Sequence, residues 1–369
     1  MSSSRRSHIA LLLALAADLV LPVGPGALWQ SVQEPMTVEQ ASVAAAFAAM
    51  DTHSNDLFSI PGVVGTAIGM GPNGSPVVKV YLADRAVLGV PAALDGVPTL
   101  GEVTGKFYSL DPRVAPPRSP EMTIWEDVEA GAAREINRRS HFERPVPIGV
   151  SSGQKDVTAG TLGARVTNGT DVFALSNNHV FANSNQAKLG DAVLQPGSMD
   201  GGSNPGDAIG TLADFEHIKF CTLGGLQCPA NRIDAAIASV TEESLGRSTP
   251  SDGYGTPRVK TVTATLMAKV QKYGRTTGLT TGQVSGIFAT VNVDYRIGIA
   301  RFVDQIIVTG SSGEFSAPGD SGSLVVTNGS GGSDRQPIGL LFGGSSLTTI
   351  ISPIDFVLDR FGVTIDGES

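Results

Sequence analysis

The sequence is poor in charge, in aromatic residues and in cysteine. Charged residues make up 17% of the 369 positions and aromatics 6%, against 41% hydrophobic. That balance excludes wholesale disorder, because a chain that stays unfolded in water combines high charge with little to bury. Lysine and arginine number 26 against 35 acids, for a net charge of -9. No basic block follows the first few residues, and phosphate binding needs clustered cations, so a nucleic-acid partner is disfavoured. Beyond residue 27 no apolar run approaches the ~20 residues of a membrane span, so none is expected. The two cysteines, Cys221 and Cys228, flank a glycine-containing turn. With nearby His217 they supply too few ligands for zinc. They fit a small disulfide loop in an exported protein, the alternative being two unpaired buried thiols. Asp191, Asp200 and Asp207 lie in a glycine-rich stretch without the spacing of a calcium loop, and read as a solvated loop. No metal or cofactor is expected.

What the chain has instead is glycine and proline, 45 and 22 residues, which favour turns and short strands over long helices. Arg5 and Arg6 precede an apolar run over 9–21 and small residues near Ala27. Residues 1–27 therefore read as a signal segment, with an ordinary apolar helix as the alternative; Asp18 interrupts the run. A secreted or periplasmic location follows from the first reading. Residues 28–110 suggest a small α+β domain. A helix over 38–50 has Thr37 and Gln40 as a capping box. A hairpin spans 60–69 and 77–82 around Gly-Pro-Asn-Gly, and 97–103 adds to its sheet. Residues 111–145 read as a linker, proline-rich at first and basic toward its end. From 146 onward short apolar segments recur at 162–167, 172–176, 207–212, 232–239, 261–273, 283–292, 304–309, 323–327, 337–342 and 347–351. That spacing predicts an all-β double barrel or sandwich. Residues 353–361 read as a short C-terminal amphipathic helix.

Three residues then stand out in chain order. His179 ends the apolar segment 172–180, Asp234 sits inside the apolar run 233–238, and Ser321 lies in Gly319-Asp320-Ser321-Gly322-Ser323. A serine hydroxyl is a weak nucleophile until a histidine takes its proton and a third group holds that imidazole in one tautomer. A carboxylate in an apolar run is costly unless paired, and His179 would pair Asp234. Gly319 and Ser321 are the natural backbone donors to an oxyanion, while Gly322 relieves crowding at a sharp turn. An α/β-hydrolase elbow needs Gly-x-Ser-x-Gly and the order Ser, Asp, His; here the last position is Ser323 and the order is His, Asp, Ser.

On these motifs residues 150–362 resemble the trypsin/chymotrypsin-like serine protease superfamily, of the bacterial secreted, α-lytic-like type. The string Lys272-Tyr273-Gly274-Arg275-Thr276-Thr277-Gly278 is similar to a segment of those secreted members. The resemblance implies a chymotrypsin-type fold of two six-stranded β-barrels over 146–369, behind a propeptide-like domain. It implies a serine endopeptidase acting on polypeptides, made as a zymogen and cut between about 135 and 150. It places Phe315 at the base of the specificity pocket, Thr348 or Thr349 at its back wall, and Asp320 buried behind the nucleophile. An uncharged base argues against Arg or Lys at the cleaved bond, though Glu314 is adjacent. Phe342, Gly343 and Gly344 would receive the peptide as an added strand. Two departures stand: Ser176-Asn177-Asn178 precedes the histidine, and Phe342 occupies the position of a serine expected to hydrogen-bond the aspartate. A binding or scaffolding module of the same fold, with weak or no proteolysis, is the alternative function.

Overall fold

The structure, a computed structural model, describes residues 37–114, 136–157, 159–222 and 227–369. The expected signal segment and residues 115–135 of the expected linker lie outside the described residues. Helix α1 (Val38–Ser59) opens with the anticipated capping box. The Gln40 amide donates to Thr37 Oγ1 at 3.2 Å and the Thr37 amide to Gln40 Oε1 at 2.9 Å, satisfying donors that a helix start leaves orphaned. The helix outruns its expected end at 50, because Leu57 continues the buried stripe of Ala46, Phe47, Ala49 and Met50 at helical spacing. It stops where Ile60 precedes Pro61, a position that disfavours helical backbone.

Strands β1 (Val63–Met70) and β2 (Pro76–Leu82) form the expected hairpin. Its turn is closed by the Gly71 amide on Ser75 O at 2.8 Å, with Gly74 at φ +76°. After β3 (Ala93–Leu94), β4 (Val97–Val103) runs parallel to β2. The short β5 (Phe107–Ser109) follows and pairs with neither β2 nor β4.

The strands that follow make two sheet regions. The first comprises β6 (Ser151–Gln154), β7 (Gly160–Thr161), β8 (Ala164–Thr167) and β9 (Val172–Ser176). After the one-turn α2 (Asn178–Phe181) come β10 (Ala192–Leu194), β11 (Ala208–Phe215) and β13 (Ala236–Val240), while β12 (Ala230–Asn231), which lies between the last two in sequence, pairs into the second region. The second comprises β14 (Lys269–Gly274), β15 (Gly278–Tyr295), β16 (Gly298–Gly310), β17 (Leu324–Thr327), β18 (Pro337–Gly344) and β19 (Thr349–Pro353). Helix α3 (Ile354–Phe361) and β20 (Thr364–Ile365) end the chain.

Eight strands pair in the order β20-β8-β9-β13-β11-β10-β6-β7. In the other sheet β14, β15, β16, β19, β18 and β17 pair in turn, and β17 pairs back with β14. The architecture resembles the double-sheet arrangement of chymotrypsin-type folds: six strands of the second sheet close on themselves through β17 and β14, and the first sheet runs from β20 to β7. The two sheets meet at β7. The Thr161 amide donates to Ser321 O at 2.7 Å rather than to a strand of its own sheet. A Cβ at Gly163 would strike the Gly322 carbonyl, so the chain there is spent on contact with the second sheet. The segment 261–268, expected as strand, is irregular; Met267 at φ +66° breaks the extended run and β14 starts at Lys269.

The N-terminal strands continue into the second sheet. β1 pairs antiparallel with β15, bringing Gly65 opposite Val291 and Thr66 opposite Thr290. Tyr81 and Phe107 share one buried cluster with Val291, Tyr295, Phe302 and Phe342. This shared core ties residues 63–109 to the long β15–β16 hairpin.

Two substitutions test the N-terminal packing by denaturant unfolding. Thr37→Ala is expected to cost about 1 kcal/mol through the lost cap, and Leu57→Ala about 2–5 kcal/mol through the cavity it leaves.

Candidate active site

The sequence around His179 builds a rigid corner. Strand β9 ends at Ser176, Asn177 caps the single turn of α2, and His179 is the second residue of that turn. The Asn177 side-chain amide donates to Asp234 O at 2.7 Å, tying the corner to the connection between β12 and β13. The Asp234 carboxylate then holds the histidine at two points. Its Oδ1 accepts the His179 amide at 3.2 Å and its Oδ2 lies 2.6 Å from Nδ1. A carboxylate only accepts, so Nδ1 carries the proton and Nε2 is left with a free lone pair. Asp234 is fully buried, and such a charge is tolerated only with its hydrogen bonds made.

A third donor to Asp234 was not legible in the sequence. Tyr295, the last residue of β15, donates its hydroxyl to Asp234 Oδ2 at 2.7 Å. Its ring stands edge-on to the imidazole with centroids 5.9 Å apart. Burial, reinforced by the Asp234 charge, pushes its phenol well above the ordinary tyrosine range, so it stays a neutral donor. This supplies the hydroxyl that Phe342 lacks. The Phe342 ring packs instead against Phe302 in the core, centroids 4.6 Å apart. Nothing in the local pattern before the Arg296–Gly298 turn marks Tyr295 as special; only the sheet crossing brings it to Asp234.

Ser321 lies in the loop between β16 and β17, shaped by glycines at φ +99° (Gly319) and +95° (Gly322). Asp320 is the anchor of that loop. It is fully buried and accepts the amides of Ala317 at 2.9 Å, Thr276 at 2.8 Å and Thr277 at 3.2 Å, and the Thr277 hydroxyl at 2.7 Å. The buried Lys272 ammonium stands 3.7 Å away. From the first sheet, Thr161 adds its hydroxyl to Gly319 O at 3.0 Å. Sequence reading missed Thr161 and Lys272 as supports of this loop.

Ser321 and His179 are both buried, and they are not hydrogen-bonded to each other. The Ser321 hydroxyl donates to Phe342 O at 3.4 Å. Among the described residues His179 Nε2 has no hydrogen-bond partner. The chain's own residues 107–111 run past them. β5 pairs antiparallel with β18, Ser109 opposite Gly343 and Tyr108 opposite Gly344. The next amide, that of Leu110, donates to Phe342 O at 3.2 Å, and Leu110 O accepts the Gly319 amide at 2.8 Å. The Leu110 side chain belongs to the buried cluster that contains Phe315. Asp111 turns back onto Arg113, whose Nη2 donates to it at 2.6 Å. Burial raises its carboxyl, but the side-chain and backbone hydrogen bonds from Arg113 outweigh burial and bring it below the usual range.

Of the other anticipated residues, Thr348 lies in the β18–β19 turn, where its carbonyl accepts the Ser345 amide at 2.8 Å. Thr349 shares a hydrogen bond with Ser316 at 2.6 Å. Cys221 and Cys228 form a disulfide. The three glycine-rich-stretch aspartates are separately engaged: Asp200 by Arg275 at 2.5 and 2.6 Å, Asp207 by the Ser203 amide at 2.8 Å, and Asp191 by Gln154 at 3.1 Å.

A family model described as the Nal1 C-terminal domain matches residues 258–352. The rice (Oryza sativa subsp. japonica) Protein NARROW LEAF 1 is 36% identical over 78 residues, which is 21% of this chain and 13% of that protein. The chain thus matches only a small part of that relative's length. Among solved structures, Thermobifida fusca Protease A is similar with a TM-score of 0.43 and 18% identity, over 60% of this chain and 98% of that one. Cellulomonas bogoriensis chymotrypsin is similar with a TM-score of 0.40 and 18% identity, over 60% and 98%.

Tyr295→Phe keeps the ring but takes a donor from a buried carboxylate. It is expected to cost about 1–3 kcal/mol in urea unfolding. A second expectation concerns pH. Burial lowers the Lys272 ammonium to about 8, although Asp320 opposes the shift; in the unfolded chain it titrates near 10.4. Between those values the folded state binds fewer protons, so this group's contribution to stability is flat below about pH 8 and rises above it. Urea midpoints of the wild type relative to Lys272→Met should therefore move in favour of the wild type between pH 8 and about 10.

Proposed function

We propose that this chain is a secreted serine endopeptidase of the trypsin/chymotrypsin-like kind, its site lying between two barrel-like halves. The observation that carries the reading is the buried Asp234–His179 pair beside Ser321, where the Gly319 amide already donates to a peptide carbonyl. In this reading Ser321 Oγ attacks the carbonyl carbon of the bound peptide and passes its proton to His179 Nε2. Asp234 keeps the imidazole in the productive tautomer and stabilises the imidazolium that forms. Tyr295 positions Asp234. The amides of Gly319 and Ser321 receive the oxyanion, where each donor is worth about 10²–10³ in rate. His179 then protonates the departing amine, and water hydrolyses the acyl-enzyme. The substrate strand lies along Phe342, Gly343 and Gly344, held by main-chain hydrogen bonds. The Cys221–Cys228 disulfide suits an oxidising compartment, in keeping with export.

One observation favours the second reading, a binding module with weak or no catalysis. Ser321 is hydrogen-bonded to Phe342 O rather than to His179. An organophosphonate separates the two readings. The full-length protein and Leu110→Asp, which loosens the strand over the site, are treated and the labelled residue is identified by mass spectrometry. The enzyme reading expects label on Ser321, lost in His179→Ala, and turnover of an activated ester reduced about 10⁶-fold in Ser321→Ala. Folded protein that takes no label in either form would favour the binding module.

A further inference from the structure

We infer that the bond between Leu110 and Asp111 is the chain's own first substrate, cut in cis by Ser321. The inference rests on the endopeptidase reading and adds the bond, the residue class that fills the pocket, and the fate of the two pieces.

The segment 107–111 lies along β18 as a bound substrate strand would. Its strand adds to β18 in antiparallel register, Tyr108 facing Gly344 and Ser109 facing Gly343. The Leu110 amide donates to Phe342 O at 3.2 Å, and the Leu110 carbonyl takes the Gly319 amide at 2.8 Å. Leu110 is 4% exposed and sits in the apolar cluster with Phe315, Val284 and Val308. One carbonyl is thus polarised by an oxyanion donor beside Ser321, and it is that of Leu110. Past it the chain leaves the groove at once. The Val114 amide closes a turn on Asp111 O at 2.9 Å, and Arg113 clamps the Asp111 carboxylate. An apolar side chain is therefore what the pocket takes. The bond lies N-terminal to the window of 135–150 expected from the family resemblance.

Ser321 Oγ gives up its 3.4 Å bond to Phe342 O and forms a C–O bond to the Leu110 carbonyl carbon, its proton passing to His179 Nε2. The Leu110–Asp111 C–N bond breaks as that proton moves to the Asp111 nitrogen, which becomes a new α-amine. Water then hydrolyses the Leu110 ester, leaving a Leu110 carboxylate and free Ser321. The N-terminal piece stays in place, because β1 remains paired with β15 and Tyr81 and Phe107 remain in the shared core. The cut protein is a two-chain complex whose groove still holds the segment ending at Leu110.

The full-length chain is expressed as wild type, Ser321→Ala, Leu110→Asp and Leu110→Met. Each is checked for native circular dichroism and followed by intact mass and N-terminal sequencing under denaturing conditions. The wild type is expected to yield a new N-terminus at Asp111, with a first-order rate unchanged on dilution and both pieces co-eluting on native size exclusion. Ser321→Ala should stay intact. Leu110→Met should cut within a few-fold of the wild-type rate, as a volume-conserving swap. Leu110→Asp should cut at least about tenfold more slowly, since it would bury a carboxylate. Phosphonate labelling of Ser321 with an intact Leu110–Asp111 bond would overturn the inference and leave the endopeptidase reading standing. A cut only at another bond, or the same cut in Ser321→Ala, would also overturn it. Neither label nor cut in folded protein would remove the endopeptidase reading as well.

Discussion

The Asp234 carboxylate is the point on which the two sheets close. It is fully buried and accepts three donors, the ring and backbone of His179 and the hydroxyl of Tyr295. Those donors come from opposite sides: the β9–α2 corner belongs to the first sheet, and Tyr295 ends a strand of the second. A buried charge demands complete satisfaction, so the two sheets must dock in the one arrangement that brings all three donors in. The same docking orients the imidazole and leaves Nε2 as an acceptor. Folding and the chemistry of the site are thus set by one group.

A second junction works in the same way. Asp320 gathers amides from the Ser321 loop and from the Thr276–Thr277 turn, with Lys272 behind it. Thr161 reaches across from the first sheet to the carbonyls of Ser321 and Gly319. Backbone amides and carbonyls are strong, obligatory partners, so this web pins the loop in the shape that turns the Gly319 amide outward. Into that shape the chain lays its own residues 107–110, and the groove is filled by a strand from the N-terminal region. The pairing of β1 with β15 makes this possible, since it carries β5 to the edge of β18.

Signals in the sequence are legible where the physics is local. The Thr37–Gln40 box, the Gly-Pro-Asn-Gly turn and the C-terminal helix each depend on residues a few positions apart, and each lies where the pattern placed it. The cysteine pair is of the same kind. The short strands after 146 were visible as alternations of apolar runs and turns, but the irregular stretch 261–268 was not, because a single positive φ at Met267 leaves no compositional trace. The trio His179, Asp234 and Ser321 was suggested by an aspartate in an apolar run and a serine between glycines. The pairing of His179 with Asp234 is in the geometry; the direct contact of His179 with Ser321 is not.

By itself the sequence determined the candidates His179, Asp234 and Ser321 and their order along the chain, because a carboxylate in an apolar run and a serine between glycines stand out by local chemistry. It determined the strand-rich texture for the same reason, through turn residues and apolar spacing. Tertiary structure alone decided what lies across from each of them. Tyr295 gives Asp234 the hydroxyl that Phe342 lacks, Thr161 braces the Ser321 loop, and the Leu110 carbonyl takes the Gly319 amide. These partners are separated by tens to hundreds of residues. Sheet register and the docking of two sheets bring them together, and register is a property of long-range pairing that no short window of sequence contains.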